Sequence, residues 1–325
     1  MSNRPVHFLS YLNRSGSTLL AKKLNSFRDI AVGIEERLGD EARENCLINN
    51  DDDLQRWLDF TYADYKFMNW GLERSQLEAG LIDHGYPLCY KDFLKVALNI
   101  YYEDNPAKVL LHKGIGLFHH LDKSERIYPK HKYVFVDRDP RAIFNSQSKS
   151  VDSYTNEVMC DDVYAFAYRY KTLQTRIHYY GKSPQYRDKF LVVRYEEFVE
   201  NEDRAIASIM DFFQLSTNRD SNDDGEYLEK IPSAQHHLHQ NLKRGNSTSR
   251  INAWQQELNS MDLLFLQSVL RRELKRNGYS LSSAKVMGVL QLIFLWAKVV
   301  KFHIFFYPKA ILKSMLVDLG IRSVF

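Results

Sequence analysis

Short runs of consecutive apolar residues alternate along the chain with longer segments whose apolar residues recur every three or four positions. Runs of the first kind predict strands, and segments of the second kind predict helices with one buried face. Apolar strands that alternate with helices indicate a parallel sheet covered on both faces. We therefore predict an α/β fold, a three-layer sandwich with a central parallel sheet. The predicted strands are at about 5–12, 31–36, 107–113, 132–137 and 189–194.

The predicted helices fill the periodic segments between and after these strands. Segment 215–250 is polar and predicts a loop, and Asn277-Gly278 has the residue types of a helix C-cap. The acidic segment NNDDD (49–53) starts one of these helices, and its position there favours N-capping over metal binding. The helices are expected from Ser17, from NNDDD (49–53), from Asp139-Pro140, and over about 161–180, 202–214 and 252–277.

The end of the chain has a different pattern from the rest. Segment 286–317 is strongly apolar, carries four lysines, and is followed by Asp318, the only acid after Ala284. Its longest uncharged run, 286–297, is too short to span a bilayer, which takes about 20 residues. Three arrangements stay open: a helix in the plane of a membrane, docking on its own domain or on a second copy in a homodimer, and a spanning helix. We predict a domain over 1–280 and a hydrophobic, basic helical tail over 281–325.

Composition and charge exclude several classes of protein. Of 325 residues, 44% are hydrophobic and 26% charged, and the net charge of +3 is too small to indicate nucleic-acid binding. The three cysteines lie far apart without a C-x-x-C pair, which argues against zinc and disulfides and favours a reducing compartment. The first residues contain no stretch typical of a signal peptide, so we expect a cytoplasmic protein, peripheral on the inner membrane face if the tail binds lipid.

Charged side chains follow the predicted strands where each of them ends. Ligands of parallel sheets bind beyond these carboxyl ends. Four of the five ends carry a cation and one carries paired carboxylates, which predicts an anion site with one candidate base. The residues are Asn13-Arg14, Glu35-Glu36, Lys113, Arg138 and Arg194.

The turn after the first strand has the residue types of a phosphate-binding loop. Gly16 permits a tight turn, and the N–H groups of the following helix point towards a bound anion. A plain N-capped strand–helix turn remains the alternative. A Walker loop is absent because no lysine precedes Ser17-Thr18, so ATP-dependent phosphoryl transfer is poorly supported.

Two motifs resemble those of the sulfotransferases that use 3′-phosphoadenosine 5′-phosphosulfate. NRSGSTLL (13–20) resembles their 5′-phosphosulfate loop, and YVFVDRDPRAIFNSQ (133–147) resembles their 3′-phosphate motif, with Arg138 and Ser146 at the family spacing. The closest likeness is to the protein-tyrosine and carbohydrate members. Looser matches follow in GIEE (33–36), LLHKG (110–114), VVRYEEF (192–198) and NLKRGNSTSRINAWQQEL (241–258).

The resemblance implies a P-loop-like fold, this sulfuryl donor, no metal, and in-line transfer to a hydroxyl of a saccharide, glycolipid or tyrosine. Glu35 would be the base, with Glu36 as the second choice, and Lys113 and Arg14 would neutralise charge at the reacting group. Ile115 replaces the histidine of the cytosolic small-molecule members, which favours a carboxylate base. The implied cofactor residues are Arg14, Ser15, Gly16, Ser17, Thr18, Arg138, Ser146, Tyr195, Arg244, Gly245 and Arg250.

Other interpretations remain beside this one. A P-loop kinase of a small molecule and a non-catalytic nucleotide-binding relative are the alternatives to a sulfotransferase. The histidines of HHLH (236–239) lack a correctly spaced third ligand, which favours a surface role over metal binding. The aromatic residues of 50–106 fit either an acceptor pocket or an ordinary packed helix pair. They include Trp57, Tyr62, Tyr65 and Trp70.

Overall fold

The structure is a computed structural model of the whole chain. It describes residues 6–33, 47–114, 131–152, 155–217, 248–282 and 288–318. Their strands are β1 Val6–Tyr11, β2 Ile30–Val32, β3 Leu47–Ile48, β4 Leu88–Cys89, β5 Val109–Lys113, β6 Tyr133–Asp137 and β7 Phe190–Arg194. Their helices are α1 Ser17–Leu24, α2 Asp51–Tyr62, α3 Tyr65–Met68, α4 Arg74–His84, α5 Tyr90–Tyr101, α6 Pro140–Gln147, α7 Val163–Lys182, α8 Tyr195–Glu200, α9 Glu202–Phe213, α10 Trp254–Glu257, α11 Ser260–Val269, α12 Arg271–Arg276, α13 Val289–Lys301 and α14 Tyr307–Asp318.

A five-stranded parallel sheet lies at the centre, with the strand order β2-β5-β1-β6-β7. β1 pairs with β5 through Leu9 and Lys113, and with β6 through Tyr11 and Val136. The carboxyl ends of these three strands therefore meet at one edge of the sheet. The predicted α/β fold with a central parallel sheet is confirmed. Three of the four predicted cations follow or end β1 and its two neighbours, and the fourth, Arg194, ends β7.

Alternate residues of the strands pack into two separate cores, which gives the three layers. Phe8 faces a core shared with α2, α4 and α5, and Leu9 faces a second core shared with α1, α8 and α9. This alternation explains why the strands are apolar at nearly every position: both of their faces are buried. The aromatic residues Trp57 and Trp70 lie in the first core, so ordinary packing accounts for them.

The predicted long helix over 252–277 is wrong. The structure has three short helices there, α10, α11 and α12. The first break has a local cause, because Leu258 is extended and the Asn259 side chain accepts a hydrogen bond from the Asp262 N–H, as an N-cap does. Sequence periodicity also missed the small antiparallel pair of β3 with β4, whose strands are only two residues long.

The tail forms one continuous helical rod. α13 runs through a π-helical turn, Phe302–Phe306, into α14. Val289–Leu312 is the one helix of the described residues that is long and apolar enough to cross a membrane, by length and composition only. One stripe of this rod packs on the rest of the chain, where Phe302 is completely buried in a core shared with α7 and α11.

Candidate active site

The turn between β1 and α1 has an unusual backbone. Arg14 and Gly16 both have positive φ, 73° and 93°, and the Ser15 N–H bonds to the Leu12 carbonyl at 3.0 Å. Gly16 is the N-cap of α1 and has no side chain to cap it, and no acidic residue lies in the first turn. The partial positive charge of the helix N-terminus is therefore not neutralised by a local carboxylate.

The ring of Tyr195 packs directly on this turn. A Cβ at Gly16 would lie 2.2 Å from Tyr195 Cδ2, so glycine is required there by space as well as by φ. The same ring lies 4.3 Å from the guanidinium carbon of Arg138, within the distance of a cation–π contact. Tyr195 thus links the turn after β1 to the end of β6.

Three arginines converge beside Ser146. The Arg14 Nε donates to Ser146 Oγ at 3.0 Å. Arg138 donates through Nη1 to the Arg14 carbonyl at 2.9 Å and through Nη2 to the Arg250 carbonyl at 3.1 Å. Burial, together with the charges of Arg138 and Arg250, lowers the pKa of Arg14 to about 10. The cluster is thus a site of repelling positive charges, which a bound anion would stabilise.

Two buried polar atoms in this region have no hydrogen-bond partner in the described part of the chain. They are Ser15 Oγ and Arg138 Nε, on residues that are almost completely buried. A buried polar group without a partner costs free energy, so such atoms are expected where a ligand supplies the partner. Both are hydrogen-bond donors, and both belong to the turn or to the arginine cluster. The residues present therefore fit an anion.

Lys113 lies on the α1 side of the same edge. Its Nζ is 3.1 Å from Thr18 Oγ1 and 4.9 Å from the centre of the Tyr11 ring. The side chain is buried, so its positive charge acts where water screens little. The cations thus form two groups around the turn, Lys113 beside Thr18 and the arginines beside Ser146. Arg14 belongs to the second group through its contact with Ser146.

The turn after β6 depends on residues that sequence analysis did not single out. Arg141 is buried and pairs with Asp139 through Nη2 and Oδ2 at 2.7 Å. Asp139 N–H donates to Glu196 at 2.9 Å, and Trp254 stacks on Arg141 at 4.0 Å. A surface ion pair with Asp137 or Asp139 is the alternative role for Arg138. It is not favoured, because Arg138 is buried and Arg141 holds Asp139. The signal was present in RDPRA, where the second arginine follows the aspartate by two residues.

Several predicted site residues lie outside the described residues. These are Glu35, Glu36, Arg244 and Gly245, so their roles stay predictions, and HHLH (236–239) lies outside as well. Arg250 is described and carries a weak ion pair with Glu257, 3.6 Å between Nη1 and Oε1. Within the described ranges, no three side chains of His, Cys, Asp or Glu form a group that could hold a metal ion.

A central parallel sheet covered by helices, with cations and a tight glycine turn at its carboxyl edge, defines an α/β protein with an anion-binding edge. The model of the sulfotransferase family matches residues 8–219, which is more than half of the chain. The chain belongs to the sulfotransferase family and is a sulfotransferase enzyme. A search of the curated proteins gave no match.

Solved structures with the same fold include two sulfotransferase domains. One is the sulfotransferase domain from the curacin biosynthetic pathway, with a TM-score of 0.57, 17% identity, and coverage of 86% of this chain and 100% of that chain. The other is the sulfotransferase domain of the Synechococcus PCC 7002 olefin synthase, with a TM-score of 0.57, 19% identity, and coverage of 86% and 96%. At these identities the likeness shows the fold alone.

Proposed function

We propose that this sulfotransferase binds 3′-phosphoadenosine 5′-phosphosulfate across the two cationic groups and transfers its sulfuryl group to a hydroxyl. The observation that carries the proposal is the cluster of Arg14, Arg138 and Arg250, with buried donors on Ser15 and Arg138 that lack partners. A second phosphate distinguishes this donor from ATP, and a separate cationic group beside the turn supplies a place for it.

The described residues support a division of roles. Backbone N–H groups from Ser15 to Thr18 would hold the 5′-phosphate, and Arg138, Ser146 and the guanidinium of Arg14 would hold the 3′-phosphate. Lys113 would neutralise the charge that develops near Thr18, a role that suits a buried ammonium group. When bound, the donor supplies an activated sulfuryl group to the acceptor oxygen.

The acceptor would lose its proton to a carboxylate, and Glu35 is our first choice for that base. It follows β2 by three residues, and the described chain reaches Gly33 at that strand's end. A general base contributes about 10²–10⁴-fold. We favour a saccharide or glycolipid hydroxyl as acceptor, with tyrosine as the second choice.

Titration with adenosine 3′,5′-bisphosphate tests the donor site. We expect Arg138→Ala to weaken bisphosphate binding about 10- to 100-fold, because a hydrogen bond to a charged group is worth about 1.5–3 kcal/mol. Affinity for ADP, which lacks the 3′-phosphate, is expected to change little. Arg187→Ala, on an exposed arginine, is the matched control. Preference for ATP with Mg²⁺ over the bisphosphate would instead select a kinase.

Transfer of labelled sulfate to saccharides, glycolipids and tyrosine peptides tests the reaction. We expect Lys113→Ala to lower kcat by about 10²–10³-fold while bisphosphate binding is retained, since its charge acts on the reacting group. The contrary result is a wild-type chain that binds the bisphosphate but transfers sulfate to every acceptor as slowly as Lys113→Ala does. That result would favour a non-catalytic nucleotide-binding protein.

A further inference from the structure

The C-terminal helical rod has two faces with different surroundings. Its protein-facing stripe is anchored by Phe302, which packs on Phe265 and Tyr164. Lys298 adds an ion pair with Asp262 on α11, 3.1 Å between Nζ and Oδ1. This stripe is part of a core, so the rod is docked on its own domain.

The opposite face of the rod is apolar and exposed. Ten of the nineteen large apolar side chains that are exposed in the described part of the chain lie on it, so the surface apolarity is concentrated there. Contiguous apolar patches of this kind mark sites that bind a membrane or another protein. The ten are Val289, Leu290, Leu292, Ile293, Phe294, Trp296, Ile304, Phe305, Ile311 and Leu312.

The charges beside this face all have one sign. Lys301 and Lys309 are exposed on the rod, and no acidic residue occurs between residues 285 and 317. An apolar face with cations and no anions is complementary to an interface that is apolar inside and negatively charged outside. A bilayer with anionic headgroups has this character.

We propose that the rod lies in the plane of an anionic membrane surface, with its exposed apolar face in the boundary between headgroups and acyl chains. The helix Val289–Leu312 has 24 residues, and its 18-residue apolar window has a mean hydropathy of 1.7 and is only 6% buried. At 1.5 Å per residue it lays about 36 Å of helix along the surface. Crossing the bilayer would instead require removal of Phe302 and Lys298 from the domain.

A second copy of the chain fits this face less well. A two-fold interface places the same surface patch on both sides, so it would bring the lysines of both rods to one apolar interface. No acidic residue between 285 and 317 could neutralise them, and uncompensated like charges at an interface cost free energy. Anionic lipids supply the missing countercharge. The inference concerns the rod alone and does not depend on the proposed donor site.

Trp296 makes the proposal directly measurable. The chain has four tryptophans, and Trp57, Trp70 and Trp254 are buried whereas Trp296 is 68% exposed. We would titrate the full-length protein with vesicles of phosphatidylcholine containing phosphatidylserine, and with vesicles of phosphatidylcholine alone. The expected result is a blue shift of tryptophan emission with the anionic vesicles. Lipids brominated near the headgroup end of the acyl chain should quench the tryptophan emission more than lipids brominated near the methyl end.

Three variants separate the contributions to binding. Ile293→Glu with Ile304→Glu should weaken partitioning at least ~100-fold, because two large apolar side chains leave the interface. Lys301→Gln and Lys309→Gln should each cost roughly 5-fold, and only with anionic vesicles. Phe60→Glu is the matched control, since Phe60 is 59% exposed on α2, and it should bind as the wild type does.

Two results would overturn the proposal. One is equal vesicle binding by the wild type and the Ile293→Glu, Ile304→Glu double variant. The other is no vesicle binding together with a dimer in solution that the double variant abolishes, which would assign the face to a second copy. Light scattering during gel filtration measures the oligomeric state. Loss of vesicle binding by the double variant with unchanged bisphosphate affinity would leave the donor site unaffected.

Discussion

At the scale of single residues, the space above Gly16 sets the shape of the anion turn. Its φ is +93°, and a Cβ there would collide with the Tyr195 ring at 2.2 Å. Gly71 is the matched control, because its φ is +67° but nothing lies within 4 Å of a Cβ placed there. The two positions therefore separate the cost of the backbone conformation from the cost of the collision.

We predict that Gly16→Ala is clearly more destabilising than Gly71→Ala. The left-handed conformation alone costs about 1–2 kcal/mol for a residue with a Cβ, and overpacking adds about 1–3 kcal/mol. Gly16→Ala should also lose affinity for adenosine 3′,5′-bisphosphate, while Gly71→Ala keeps it. Urea unfolding and ligand titration measure the two effects. Equal stability losses in the two variants would contradict the packing of Tyr195 on the turn.

A second glycine contact lies where the chain leaves β2 for the segment that contains Glu35. A Cβ at Gly33 would lie 2.4 Å from the Tyr102 hydroxyl oxygen, and the next ring atom, Cζ, is 3.5 Å away. We predict that Gly33→Ala lowers stability and transfer rate, and that Tyr102→Phe restores most of the stability, because it removes only the colliding oxygen. A double-mutant cycle by urea unfolding measures this coupling. Additive losses would show that the two groups do not meet.

At the scale of elements, Arg141 joins the start of α6 to two distant parts of the chain. It pairs with Asp139, donates to Gln267 on α11 at 2.8 Å, and donates to the Ser280 carbonyl at 2.9 Å. Because the helix that carries Ser146 begins here, the position of the proposed 3′-phosphate group depends on this buried ion pair.

We predict that Arg141→Ala destabilises the protein by about 3–5 kcal/mol, since it leaves Asp139 buried without its partner. Arg141→Lys should recover little, because an ammonium group cannot replace several guanidinium contacts. Lys149→Ala is the control: it breaks the exposed pair with Glu257, 2.9 Å long, and should cost about 0–1 kcal/mol. Thermal unfolding measures all three. A loss for Arg141→Ala as small as the control's would contradict the role given to the pair.

The elements that sequence alone predicted are those with a strong local signal. β1, β5, β6 and β7 are continuously apolar because both faces of the sheet are covered, and all four lie where predicted. The error at 252–277 arose because apolar residues such as Leu258 recur at helical spacing across the break. The helix nevertheless stops at Leu258, and a new helix begins with Asn259 as its N-cap. The strands of the β3–β4 pair are too short to have any period.

At the scale of the whole molecule, the sequence predicted which residue types gather at the sheet edge but not how they divide. Arg14 is predicted both at the reacting group beside Lys113 and among the cofactor-binding residues. Its contact with Ser146 associates it with the arginine cluster, and its role at the reacting group stays a prediction. The direction in which the Arg14 side chain points depends on its rotamer and on the left-handed backbone at that residue. Neither can be predicted from the sequence pattern. For the tail, the sequence left three arrangements open, and the buried Phe302 shows that one stripe of it docks on the domain.

Two buried groups at opposite ends of the sheet give stability opposite dependences on pH. Burial, and then the charges of Lys132 and His131, lower the pKa of His7 to about 4 from 6.5, and its Nδ1 accepts the Lys132 N–H at 3.0 Å. Burial is the main cause that raises the pKa of Asp137 to about 7 from 3.8. Protonation of His7 favours the unfolded chain, so its contribution is lost as pH falls from 6.5 to 4. Protonation of Asp137 favours the folded chain, so its contribution is lost as pH rises from 4 to 7.

We predict that the two contributions largely cancel in the wild type and that single variants reveal them. With one pKa unit worth about 1.4 kcal/mol, the contributions amount to roughly 3–5 kcal/mol each at full amplitude. Relative to the wild type, His7→Gln should therefore lose stability as pH rises from 4 to 7, and Asp137→Asn should lose stability as pH falls over the same range. Urea unfolding at several pH values gives both slopes. All other titrating groups are common to the variants and the wild type, so they cancel in the differences between the slopes. Variant slopes equal to that of the wild type would contradict the burial of these side chains.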